Sequence, residues 1–147
     1  MQKLVNYPQN SLHKRTLVGK NLTILPHGMD LKPANIVLNE NNLLYLVDLF
    51  GTKELNEKGG WRIYSRKLDR LDPDRLLALC ATREGIILRF YRLAEVEWTK
   101  IPGINKEELR AGFLSLLASL QLPKNEKEFI IEDVRTGFQW SDMAYSK

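Results

Sequence analysis

Two short apolar runs, residues 36–38 and 43–47, are separated by four consecutive polar residues, Asn39-Glu40-Asn41-Asn42. Runs this short are the length of strands, and the Asn-rich turn between them predicts an antiparallel hairpin. The consequence is geometric. A hairpin returns the chain beside its own starting point, so Asn35, before the first run, and Asp48, after the second, are expected at one mouth.

The residues around that mouth carry chemistry. Upstream lies His27-Gly28-Met29-Asp30-Leu31-Lys32-Pro33-Ala34-Asn35, and downstream Leu46-Val47-Asp48-Leu49-Phe50-Gly51. Phosphoryl transfer asks a protein mainly to place a nucleophile in line and to neutralise phosphate charge with magnesium and cationic side chains. Asp30 is of the type that accepts or orients an attacking hydroxyl. Asn35 and Asp48 offer an amide oxygen and a carboxylate to a metal, Lys32 is a mobile counter-charge, and Pro33 stiffens the loop. Singly, an Asp in a loop is more often a solvated or turn-forming residue, and Asp48 alone reads as a strand-end cap.

The Asp30 to Asn35 string with Asp48 beyond it resembles the catalytic loop and metal-binding segment of the protein-kinase-like superfamily. The string itself is similar to that of serine/threonine protein kinases. Gly28 after His27, the lack of an Ala-Pro-Glu motif after Asp48, and Gly60-Trp61-Arg62 with Leu68-Asp69-Arg70-Leu71 look more like the bacterial lipopolysaccharide-core (Kdo/heptose) kinases. The resemblance implies a kinase-like C-lobe of α+β class, mainly helical, in which a short β-hairpin bears the catalytic loop. It implies Asp30 and Lys32 as catalytic residues, Lys32, Asn35 and Asp48 as nucleotide-binding residues, Asn35 and Asp48 as metal ligands, and ATP and Mg2+ as cofactors. The implied acceptor is a hydroxyl of a sugar, lipid or protein, with a lipopolysaccharide-core sugar the nearest in kind.

This chain departs from the family pattern in three places. Met29 adds a residue between His27 and Asp30, and Leu49 adds one between Asp48 and Phe50-Gly51. Residues 1–26 hold no Gly-rich phosphate loop, no strand-borne Lys of the Val-Ala-Ile-Lys type and no partner Glu helix, so the N-lobe is expected to be absent. Its place would then fall to another polypeptide or a second copy of the chain. Two other readings stay open: a catalytically inactive remnant that binds a partner through its lobe interface, and a fragment of a Ser/Thr protein kinase.

Length and charge narrow the remainder. At 147 residues and 44% hydrophobic, the chain can bury one core. The net charge of +4 is spread among acidic residues, which argues against nucleic acid as a partner. The cluster Arg62, Arg66, Lys67 and Arg70 suits an anionic acceptor or a solvated helix face. With a single cysteine, Cys80, no internal disulfide forms, and no window reaches the roughly 18 apolar residues of a membrane span. A cytoplasmic protein is expected, with peripheral contact at the inner membrane left open.

The chain divides into an irregular segment over 1–26, a C-lobe core over 27–122 and a C-terminal extension over 123–147. At most one short helix fits around residues 11–18. Asp72 before Pro73 signals a helix start, and Leu76, Leu79, Cys80, Ile87, Phe90 and Ala94 recur at helical spacing as far as Trp98, with a break placed at Gly85. Asn105 and Glu108 predict the start of a further helix whose apolar face is Leu109, Phe113, Leu116, Leu117 and Leu120. Pro123 and the charged run 124–128 are expected to end that helix, followed over 129–147 by a short strand or helix and a tail. Trp61, Trp98 and Trp140 are expected in the core or at its edge.

Overall fold

The computed structural model describes residues 13–25, 27–29, 36–41, 44–46, 49–51 and 73–145. Asp30, Lys32, Asn35, Asp48, Asp72, Trp61 and the basic cluster at Arg62, Arg66, Lys67 and Arg70 lie outside the described residues. The architecture is α+β and mainly helical. Among the described residues, six short strands form three antiparallel pairs, followed by helices α1 (Pro73–Cys80), α2 (Arg83–Trp98), α3 (Lys106–Ser119), α4 (Lys124–Arg135) and α5 (Gln139–Tyr145).

The helix expected around residues 11–18 is replaced by a hairpin of β1 (His13–Leu17) and β2 (Lys20–Ile24). Val18 and Gly19 connect them, both at positive φ (47° and 72°), and two such residues make the tight turn whose twist matches paired strands. The N-terminal part of β1 is exposed, while Leu17 on β1 and Leu22, Thr23 and Ile24 on β2 are buried. Burial against helices decides this segment, because its polar composition carries no strand alternation.

A corner joins α1 to α2. Residues Ala81 and Thr82 break the helix there, three residues earlier than Gly85. The Thr82 hydroxyl accepts from the Gly85 amide at 3.0 Å and donates to the Ala78 carbonyl at 2.5 Å, so one side chain both caps α2 and ties it back to α1. Gly85 lies inside the first turn of α2, where a Cβ would sit 1.9 Å from the Ala78 carbonyl oxygen. Close approach, not helix breaking, is what this glycine provides. The corner also holds β2: the Leu25 amide donates to the Ala81 carbonyl at 2.9 Å, and Ile24 bridges Thr82.

Helix α2 is central, packing against β2, α1, α3, α4 and α5. Its Ile86, Ile87, Leu88 and Tyr91 are buried, and Cys80 of α1 is a core residue as expected. The Tyr91 ring stacks on Phe113 of α3 at 4.0 Å between centroids. The Asn105 side chain accepts from the Glu107 amide at 2.8 Å, which caps α3 as its sequence predicts. Only Phe113 and Leu117 of the expected apolar face are fully buried; Leu116 is 45% exposed, so α3, which packs chiefly on α2 and α4, buries a narrow stripe.

Helix α3 ends at Ser119, ahead of Pro123 as expected, but the charged run at 124–128 is itself helical and begins α4. Ile130 and Val134 of that helix, with Phe138 and Trp140 beyond it, belong to the main core. The buried Asp133 carboxylate accepts from the Trp140 amide at 2.6 Å, the Ser141 amide at 3.3 Å and the Ser141 hydroxyl, which fixes α5 against α4. Trp140 donates its indole N–H to the Val18 carbonyl at 3.1 Å, so the chain's last described helix closes on its first hairpin. Trp98, by contrast, is 46% exposed at the end of α2.

Candidate functional site

The hairpin expected at residues 36–47 is present as β4 (Ile36–Leu38) and β5 (Leu44–Leu46), paired Ile36 to Leu46, Val37 to Tyr45 and Leu38 to Leu44. Its turn is set locally: the Asn39 side-chain oxygen accepts from the Asn41 amide at 3.0 Å, the Asx turn that suits Asn at this place. A second pairing surrounds the first. β3 (His27–Met29) runs antiparallel to β6 (Leu49–Gly51), with His27 opposite Gly51, Gly28 opposite Phe50 and Met29 opposite Leu49.

The two registers together define the frame of the candidate site. Met29, whose chain neighbour is Asp30, is the Cα partner of Leu49, whose chain neighbour is Asp48. Ile36, whose chain neighbour is Asn35, is the partner of Leu46, two residues before Asp48. Paired strands in an antiparallel ladder keep opposite Cα atoms about 4.5–5.5 Å apart. The strand ends that lead to and from the three candidate residues are therefore gathered by two nested ladders, and β3 lies beside α1. The sequence predicts the inner ladder; the outer one is added by the structure, and it pairs Met29 with Leu49.

Asp30, Lys32, Asn35 and Asp48 lie outside the described residues, as do the side chains of β3 and β6. Among the described residues, no group of three or more His, Cys, Asp or Glu side chains could hold a metal ion. On β4 and β5 the cross-strand pair Val37 and Tyr45 is 46% and 48% exposed, so one face of the inner hairpin presents apolar surface.

Among the described residues, the displaced titrations lie in the helical body. Burial raises the Glu84 carboxyl above the usual carboxylate range, against the Thr23 amide that favours its charged form. Burial acts in the same direction on Glu95, but Arg110, donating at 2.7 Å, and Tyr91 at 3.1 Å win, and its carboxyl ends lower. Tyr91 is pushed up by burial and by that same carboxylate. Nothing in the sequence pattern announces these groups: Arg83 and Glu84 sit between two apolar runs, and charged residues there read as solvated unless a partner such as Glu126, 42 positions from Glu84, comes with them.

No protein-family model, no curated protein and no solved structure matches this chain.

Proposed function

We propose that this chain is the metal-and-base half of a kinase-like phosphotransferase that moves the γ-phosphoryl group of ATP to a hydroxyl. The single observation that supports it is the nested pairing of β3 with β6 around β4 with β5, which sets the chain neighbours of Asp30, Asn35 and Asp48 in register. An Asp, an Asn and an Asp delivered by such strand ends suit the division of labour that phosphoryl transfer requires. Asp30 takes the role of base, and Lys32 contacts the transferred phosphoryl group. Asn35 and Asp48 offer oxygen donors of the hard kind that magnesium takes. Bound there, the ion would neutralise charge developing on the phosphate oxygens. The acceptor nearest in kind is a lipopolysaccharide-core sugar.

Calorimetry with ATP and magnesium tests this on the full chain and on Asp48→Ala. Magnesium-dependent binding that Asp48→Ala abolishes is the expected result. Equal affinity in both proteins would remove Asp48 as a metal ligand, and no binding to either would end the catalytic version.

One observation favours a second reading, a non-catalytic module that docks a partner on its lobe interface. The exposed Val37 and Tyr45 face is the kind of apolar patch that marks such a surface. Under that reading the chain self-associates or elutes with a partner, and Tyr45→Ser weakens the association; a monomer unchanged by Tyr45→Ser would eliminate it.

A further inference from the structure

Thr23 of β2, Arg83 and Glu84 of the first turn of α2, and Glu126 of the first turn of α4 are buried together. Arg83 donates to both oxygens of Glu126, Nε to Oε2 at 2.7 Å and Nη2 to Oε1 at 2.8 Å, so Glu126 is the ionised partner of a buried pair. The Thr23 amide lies 2.9 Å from Glu84 Oε2 and 3.1 Å from Oε1. The Thr23 hydroxyl is 2.8 Å from Glu126 Oε1 and 3.1 Å from Glu84 Oε1.

The hydrogens decide the charge state. A threonine hydroxyl has one hydrogen to give and two lone pairs with which to accept. The shorter contact, to the ionised Glu126, takes that hydrogen. The other contact then joins two oxygens with no hydrogen between them unless Glu84 supplies one. We propose that the folded protein holds Glu84 as the neutral carboxylic acid to higher pH than an ordinary carboxyl, its Oε1–H donating to Thr23 Oγ1 while Oε2 accepts the Thr23 amide. Each polar contact in the quartet then has its hydrogen, and Arg83 with Glu126 balances to zero charge.

The surroundings agree. The charged groups of the quartet are Arg83 beside Glu84 on α2 and Glu126 on α4, and the nearest part of β2 offers the neutral Thr23. On the other elements packed against α2, Asp74 of α1 is exposed and paired with Arg15, Arg110 of α3 is paired with Glu95, and Asp142 of α5 with Arg92. Burial of a second carboxylate beside Glu126 penalises its charged form.

The stored proton makes the junction pH-sensitive whatever chemistry Asp30 and Asp48 perform. In the unfolded chain the Glu84 carboxyl ionises near the usual value of about 4.3, whereas in the folded chain the proton stays on to higher pH. Its contribution to stability is therefore complete below the ordinary carboxylate value and is lost as pH rises toward the raised folded value. Across that window the folding constant falls about tenfold per pH unit for this group. Ionisation would set Glu84 against Thr23 Oγ1 and Glu126, and so loosen β2 from α2 and α4.

Glu84→Gln reproduces both contacts without a titrating proton, its amide N–H donating to Thr23 Oγ1 and its oxygen accepting the Thr23 amide. Urea unfolding of the full chain and of Glu84→Gln, from the ordinary carboxylate range upward in pH, isolates the group by difference. The wild-type folding constant should fall relative to the variant as pH rises above the ordinary carboxylate value, by up to about tenfold per pH unit, and level off once the raised folded value is passed. The Glu84 carboxyl carbon of the wild-type protein, followed by NMR, should titrate above the ordinary carboxylate value, and this readout does not depend on the variant folding. A difference that is flat with pH, or a carboxyl carbon that titrates at the ordinary value, would overturn the proposal.

Discussion

Gly85→Ala and Gly112→Ala are the same chemical change in the interior of two helices, and the structure gives them opposite signs. By helix propensity alone each should stabilise, since alanine is favoured over glycine by roughly 0.8–1 kcal/mol. At Gly112 in α3 a Cβ meets nothing within 4 Å, so the full gain of about 1 kcal/mol is expected. At Gly85 the Cβ would lie 1.9 Å from the Ala78 carbonyl oxygen and 2.8 Å from Thr82 Oγ1, both closer than any real contact. The backbone carbonyl cannot swing away as a side chain would. Relief means prying α1 from the first turn of α2, at about 1–3 kcal/mol for overpacking plus about 1–2 kcal/mol for the Thr82 cap that the shift disrupts. Against the propensity gain, the net expectation for Gly85→Ala is a loss of about 1–4 kcal/mol, a large share of the roughly 5–15 kcal/mol of a typical domain. Urea denaturation followed by circular dichroism reads this as a lower midpoint at unchanged slope. A Gly85→Ala protein as stable as wild type, or more so, would refute the account of the α1–α2 corner.

Three further outcomes follow from the polar contacts. Asp133→Ala leaves the Trp140 and Ser141 amides without their acceptor, and a loss of about 2–3 kcal/mol is expected, with α5 detaching first in hydrogen exchange. Arg83→Met strands a buried Glu126 and should cost about 3–5 kcal/mol in thermal or urea unfolding, most of it restored when Glu126→Leu is added. Glu95 behaves oppositely to Glu84: its folded value is depressed, so its contribution is present above the ordinary carboxylate value and disappears as pH falls through the depressed one. Glu95→Gln should therefore flatten the acid limb of the stability profile, and an acid limb identical to wild type would show that the Arg110 contact does not carry it.

How much of this was legible in the residues depended on whether the deciding interaction was local. The inner hairpin was, because a turn made by Asn39 and Asn41 and two short apolar runs need no distant partner. The start of α3 was, because Asn105 caps its own helix. The β1–β2 hairpin was not: Thr23 is buried only because Glu84 and Glu126 bring it hydrogen-bond partners from 61 and 103 residues away. The same holds for α4, whose charged first turn reads as solvated until Arg83 pairs with Glu126. Leu116 shows the converse error, since helical spacing alone overstates the width of a buried face.

For the candidate site the division is similar. The sequence by itself supplied the residue types, Asp30, Lys32, Asn35 and Asp48, and the inner ladder that pairs Ile36 with Leu46, because spacing and turn chemistry are properties of adjacent residues. Only the tertiary structure decided that β3 closes on β6 around that ladder, with Met29 opposite Leu49, because some twenty residues separate the two strands and no turn between adjacent residues announces their pairing. It likewise decided where the buried charges sit, since desolvation and pairing arise from residues that the fold, not the chain order, brings together.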